Sequence, residues 1–141
     1  MTSEVRATAA AEPKLPPSGL FIGGEWAAAE NGKTFTTTNP ATEVAITEIA
    51  SASAGDVNRA VAAAKAALPL WSKKMTPRER GLLLWRIADA MERRIDELAL
   101  LETLDNGKPI FESRYVDLPT AIDALRYFAG FADKITGDTF Q

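Results

Sequence analysis

The spacing of apolar residues divides the chain into a strand-like first third and a helical remainder. Residues 98–109 give the sharpest helical pattern, because leucines recur at three-residue steps and place one apolar face along a helix. Asn106 and Gly107 then tolerate a left-handed cap, and Pro109 cannot continue the helix. The pattern predicts that a helical region beginning at Thr76 ends here.

The first third predicts a small antiparallel β unit. Its apolar and β-branched runs are short and are separated by Gly-Gly and Asn-Gly pairs, which favour tight turns. The predicted strands cover residues 20–22, 26–28, 34–38 and 43–49. Since isolated hairpins of this size are marginal in water, we expect the unit to lie against something larger.

The first helix is predicted to follow Ser53, which can cap it, with Asp56 in its first turn. Pro69 ends its regular part. Its apolar positions recur at helical spacing and form a stripe of Val57, Val61, Ala64, Leu68 and Trp71.

A second helix is predicted from Thr76, because Thr76 and Glu79 form a capping box around Pro77 at the first helical position. Its buried face is expected to comprise Leu83, Leu84, Ile87, Met91 and Ile95. The polar residues at 93–96 indicate a break, with Asp96 capping a separate helix that ends at Asp105.

The last helical region follows Pro109. Residues 110–116 are predicted to be helical, and Asp117 with Pro119 indicates a new helix start, Asp117 being a candidate cap. Gly137 is expected to end this helix. Its apolar stripe comprises Ile122, Leu125, Ala129, Ala132 and Ile135.

Composition narrows the classes of function. The chain has 141 residues, enough for one domain with a core, and its net charge of −3 without a basic block argues against a nucleic-acid surface. No apolar run approaches the roughly 18 residues of a membrane helix. Cysteine and histidine are both absent, which excludes disulfides, a thiol nucleophile and a Cys/His zinc site in these residues. Residues 1–18 are predicted to be a disordered arm of a cytoplasmic protein.

Four segments carry a family resemblance. The octapeptide at 102–109, Glu-Thr-Leu-Asp-Asn-Gly-Lys-Pro, resembles a signature of the NAD(P)-dependent aldehyde dehydrogenase superfamily. Three further segments agree with that family in order and spacing, at residues 20–26, 38–42 and 125–134. The resemblance covers residues 19–141, which it identifies as the N-terminal portion of an aldehyde dehydrogenase domain.

The order of elements and the resemblance make different statements about the fold. Strands followed by helices are typical of an α+β arrangement. The resemblance implies an α/β fold, of which this chain is the outer, N-terminal part of the coenzyme-binding domain. It further implies oxidation of an aldehyde to a carboxylic acid with NAD or NADP, and homo-oligomers of the full-length enzymes.

The resemblance places no catalytic and no cofactor-binding residue in this chain. The catalytic cysteine, the glutamate base and the coenzyme loop of the family lie beyond residue 141, so the chain alone is predicted to be inactive and to bind no cofactor. A standalone helical interaction module without catalysis is the alternative. If the large sheet of the family is absent, the apolar helix stripes are expected to stay partly exposed.

Two candidate sites follow from the resemblance. The backbone carbonyls of Thr37 and Thr38 and the carboxylate of Asp105 match ligands of a structural Na⁺ or K⁺, with a further ligand supplied from outside the chain. Val116 and Thr120 match residues at the mouth of the substrate tunnel. The alternatives are a solvated helix edge or cap for Asp105, and ordinary helix packing for the other two.

Overall fold

The computed structural model describes residues 14–134 and 136–137. Its strands are β1 (Leu20–Ile22), β2 (Glu25–Ala27), β3 (Thr34–Thr38) and β4 (Ala45–Ala50). They form two separate antiparallel hairpins, β1 with β2 and β3 with β4. A hydrogen bond from the Ala50 amide to the Ser18 carbonyl, at 2.9 Å, joins the two hairpins. The predicted antiparallel β unit is therefore confirmed, as a pair of hairpins.

Helices make up the rest of the described chain. They are α1 (Ala54–Pro69), α2 (Pro77–Arg93), α3 (Ile95–Asn106), α4 (Ile110–Glu112) and α5 (Leu118–Ala129). Two π-helical turns, Leu70–Lys74 and Ser113–Asp117, follow α1 and α4. The strands-then-helices order gives the α+β arrangement that the sequence predicts.

Both predicted helix starts are confirmed by their caps. The Ser53 hydroxyl accepts from the Asp56 amide at 3.2 Å, and the Asp56 carboxylate accepts from the Ser53 amide at 2.8 Å. Thr76 and Glu79 form the same reciprocal box at the start of α2. These boxes satisfy backbone N–H groups that the first helical turn leaves without partners.

The predicted break at 93–96 is confirmed and lies at Arg94, but three predicted helix signals are wrong. Asp96 pairs with Arg114 and does not cap α3. Asp117 is no cap either, because the second π turn runs directly into α5 and leaves no free helix start there. Gly137 does not end the last helix, since α5 ends at Ala129 and the Gly130 amide bonds back to it.

The core is small and built from small residues. The described residues bury five hydrophobic side chains, of which Ile122 is the largest: Ala29, Ala88, Ala99, Ile122 and Ala129. Helices α2 and α5 pack closely because Gly81 has no side chain, and a Cβ there would lie 2.8 Å from the Ala129 carbonyl oxygen. Close packing of this kind needs small residues at the contact.

The predicted buried face of α2 needs correction. Four of its five residues are only half-buried, and Ile87 is exposed. The reason is that Gly81 and Ala88 occupy the contact with α5, which turns the larger apolar side chains to its margins. In the predicted stripe of the last helix, Ile122 and Ala129 are buried as expected. Ile135 lies outside the described residues.

The apolar stripe of α1 lies on the surface. Val57, Val61, Leu68 and Trp71 are each 42–56% exposed. Contiguous exposed apolar residues of this kind mark a surface that something else covers. The expectation of partly exposed stripes in the absence of a large sheet is therefore confirmed for α1.

Asp56 joins α1 to the loop after β2. Its carboxylate is buried and accepts hydrogen bonds from the amides of Ser53, at 2.8 Å, and Glu30, at 3.2 Å, and from Arg59. The Ser53 amide contributes most to a lowering of the Asp56 pKa to about 2, against the opposing effect of desolvation. The sequence placed Asp56 in the first turn of the helix and revealed neither its part in the capping box nor its contact with Glu30.

Asp56→Asn is expected to lower the thermal unfolding midpoint at pH 7. The folded-state pKa is depressed, so the stabilisation by the carboxylate is complete above the ordinary Asp pKa and is lost as pH falls towards 2. The difference between wild type and variant should therefore shrink between about pH 4 and pH 2. Circular dichroism melts across this range test it, with Asp123→Asn on the exposed side of α5 as control. A constant difference across this range would contradict the proposed role of the charge.

Candidate functional site

The end of α3 lies against the hairpin of β3 and β4. The Thr37 hydroxyl donates to the Asp105 carboxylate at 2.8 Å, across 68 residues of sequence. Next to them, the β3–β4 register shifts between Thr37 and Thr38, and such bulges release backbone groups from the ladder. The structure thus brings together the three residues that the resemblance implies for a cation.

Gly107 makes this approach possible. It caps α3 in the left-handed conformation, with φ of 80°, as the sequence predicts. A Cβ at this position would lie 2.7 Å from Cγ of Pro40, so only glycine lets the chain pass the turn that follows β3. The position of Asp105 next to Thr37 therefore depends on both the backbone and the missing side chain of Gly107.

The ligand chemistry here is that of oxygen atoms. The described part of the chain holds no cluster of three or more His, Cys, Asp or Glu side chains that could bind a metal. A cation at this place would rely on one carboxylate and on backbone carbonyls, which are ligands for hard cations. Glu102 takes a different partner from Asp105, so the two carboxylates do not act as a pair.

Val116 lies in the second π turn, and Thr120 lies four residues later in the first turn of α5. The Thr120 hydroxyl donates to the Val116 carbonyl at 2.6 Å, and both side chains are exposed, Val116 at 50%. Their side chains lie on the same surface of the helix and are accessible to solvent. Neither residue is part of the small core.

Lys108 connects the end of α3 to the second π turn, a contact that the sequence did not reveal. Its ammonium donates to Asp117 at 2.6 Å and lies 2.7 Å from the carboxylate of Glu102. The hydrogen bond to Asp117, followed by that to Glu102, raises the Lys108 pKa above its ordinary value. The sequence placed Lys108 only at the negative end of a helix, because its partners are six and nine residues away across a turn.

Comparison with known proteins decides the family. The aldehyde dehydrogenase family model matches residues 26–141. The chain belongs to the aldehyde dehydrogenase family. The resemblance in the four sequence segments is thereby confirmed.

Individual relatives agree with this assignment. An aldehyde dehydrogenase of Emericella nidulans is 50% identical over 125 residues, which are 89% of this chain and 25% of that protein. A crystal structure from Burkholderia cenocepacia, described as a putative aldehyde dehydrogenase, matches with a TM-score of 0.83 and 45% identity, over 88% of this chain and 25% of that one. The chain spans about a quarter of the length of these proteins.

A third relative has been solved with the coenzyme. PnpE of Pseudomonas sp. WBC-3, also determined in complex with nicotinamide adenine dinucleotide, matches with a TM-score of 0.83 and 44% identity, over 88% of this chain and 25% of that one. NAD therefore occurs in the family.

No helix among the described residues has the length and apolar character needed to cross a membrane.

Gly107→Ala is expected to destabilise the fold more than Gly32→Ala. Both glycines have positive φ, which costs another residue about 1–2 kcal/mol, but only Gly107 has a neighbour within 4 Å of the added Cβ. Denaturant unfolding of both variants measures the difference between them. Equal losses would show that the contact of Gly107 with Pro40 is unimportant.

Proposed function

We propose that this chain forms the N-terminal part of an NAD(P)-dependent aldehyde dehydrogenase that oxidises an aldehyde to a carboxylic acid. Family membership over 116 of its residues, 26–141, supports the proposal most directly. The quarter-length match to relatives and the exposed stripe of α1 agree with a part whose faces are covered by further chain. The remainder of the dehydrogenase fold is then its first partner.

The 141 residues alone are proposed to be inactive. The family's reaction uses a cysteine thiolate to attack the aldehyde, and the sequence contains no cysteine. Scaffold and part of the tunnel mouth, at Val116 and Thr120, are the contributions that we assign to these residues. We further propose homo-oligomers for a complete enzyme, as the family resemblance implies. We also propose a cytoplasmic location, which the cysteine-free composition fits.

Two measurements test this function. The intact mass of the protein in its own cell, with peptides mapped from both ends, is expected to exceed 15.2 kDa several-fold and to include a cysteine-containing peptide beyond Gln141. The purified 141-residue chain is expected to reduce no NAD⁺ or NADP⁺ in the presence of an aldehyde. Detectable activity in that purified chain would overturn the inactivity, and a cellular mass near 15.2 kDa would overturn the role as part of a larger enzyme.

A standalone interaction module is the second candidate, favoured by the capping boxes at the starts of α1 and α2 and by the close packing of α2 on α5. The two candidates differ in hydrodynamic behaviour. A module melts cooperatively as a compact monomer, whereas a dependent part with exposed stripes self-associates. Size-exclusion chromatography with thermal melting separates them.

The cation site is a separate proposal. We assign a Na⁺ or K⁺ to the carbonyls of Thr37 and Thr38 and to the Asp105 carboxylate. The hydrogen bond from the Thr37 hydroxyl to Asp105 supports this assignment, because it brings the carboxylate next to β3. The register shift between Thr37 and Thr38 supports it as well, because backbone groups at such a shift are released from the ladder. A further ligand is expected from chain beyond these residues.

Potassium is expected to raise the melting temperature of the complete enzyme, which supplies the further ligand, above its value in choline chloride at equal ionic strength. A ligand that binds only the folded state stabilises it by mass action. Asp105→Asn should abolish this difference, and Asp133→Asn, in an exposed residue after α5, should leave it unchanged. Identical wild-type melts in the two salts would refute the site.

A further inference from the structure

The second π turn fixes how Val116 and Thr120 are placed. The Leu118 amide donates to the Ser113 carbonyl five residues earlier, so this turn holds one residue more than an α-helical turn. Val116 lies in the π turn and Thr120 lies four residues later in α5, a spacing at which two residues share a helix face. The extra residue of the π turn rotates the helix that follows it, and so sets the direction in which this shared face points relative to α3.

Side chains on the α3 side hold this turn. Ser113, which is fully buried, lies with its hydroxyl 3.0 Å from that of Thr103 on α3. Arg114 pairs with Asp96 at the start of α3. These contacts hold the beginning of the π turn, and the two following residues, Tyr115 and Val116, are left exposed.

Lys108 holds the other end. Its ammonium bridges Asp117, the last residue of the π turn, and Glu102 on α3, at 2.6 and 2.7 Å. The lysine side chain is only 21% exposed, while the two carboxylate side chains are 42% and 44% exposed. A partly buried cation between two carboxylates is less screened by water and salt than a surface ion pair.

We propose that Lys108 is a positioning residue for the tunnel mouth, and that its two ion pairs set the place of Val116 and Thr120. This inference rests on the proposed assignment of those two residues to the tunnel. Lys108 itself contacts no aldehyde in this scheme. Its effect is on the shape of the opening, and hence on which aldehydes pass, because a displaced π turn moves the two lining side chains together.

Methyl resonances of the 141-residue chain test the positioning. Lys108→Met keeps the length and apolar stem of the side chain and removes its charge. It is expected to shift the methyl signals of Val116 and Thr120 while leaving those of Val57 and Val61 on α1 unchanged.

Three further variants keep the test sharp. Lys108→Arg should return both signals towards wild type, because it restores the charge. Lys134→Met, in an exposed lysine that pairs with the adjacent Asp133, should have no effect. If Lys108→Met does not fold, Asp117→Asn replaces it as the test of the positioning role. This variant removes one of the two ion pairs and is expected to shift the same two methyl signals. Unchanged signals in the folded variant overturn the inference.

A second probe separates this inference from the proposed function. Hexanamide resembles an aldehyde in shape but forms no imine with lysine. It is titrated into the complete wild-type enzyme that the proposed function implies, because the 141 residues supply only part of the tunnel mouth. Shifts of the Val116 and Thr120 methyl signals support the tunnel assignment, and binding of hexanamide without such shifts overturns that assignment. The Lys108 variants are judged without hexanamide, so failure of the tunnel assignment and failure of the positioning role give different results.

Discussion

The close contact of α2 with α5 is the constraint on which the helical part of the structure depends. Gly81 lets the helices approach, and Arg126 of α5 then reaches Asp89 and Glu92 of α2 at 3.0 and 2.6 Å. Its guanidinium also lies 5.3 Å from the centre of the Trp85 ring. The hydrogen bonds to the two carboxylates, Glu92 first, raise the Arg126 pKa.

A contact built from glycine and alanine buries little apolar area, and this explains the exposure elsewhere. Small side chains bring backbones together but contribute less hydrophobic stabilisation than leucine or phenylalanine would. The large apolar residues therefore lie around the contact or on other faces, among them Tyr127, Phe128 and Phe131, which contact one another at the surface. Caps and ion pairs stabilise the helices of such a chain locally, and its largest apolar surfaces remain exposed.

Local features could be predicted from the sequence and long-range ones could not. The cap at Ser53, the capping box of Thr76 with Glu79 and the left-handed cap at Gly107 depend on residues within four positions of one another, and all three could be predicted. Ile87 was expected in the core because helical periodicity finds an apolar face without saying which part of it meets a neighbour. The π turns have no periodic signal of their own, so the sequence predicts a helix cap at Asp117 where the structure has a continuous π turn.

In the candidate site, too, the residues could be predicted from the sequence but their long-range contacts could not. Family resemblance supplied the residues Thr37, Thr38 and Asp105, but the reason that they meet lies in Gly107, whose missing side chain lets α3 end against Pro40. Lys108, the next residue, then ties the same helix end to the π turn that carries Val116. One short segment after α3 thus sets the geometry of both candidate sites. A disturbance of that segment is therefore expected to reach the cation position and the tunnel mouth together, although the two share no residue.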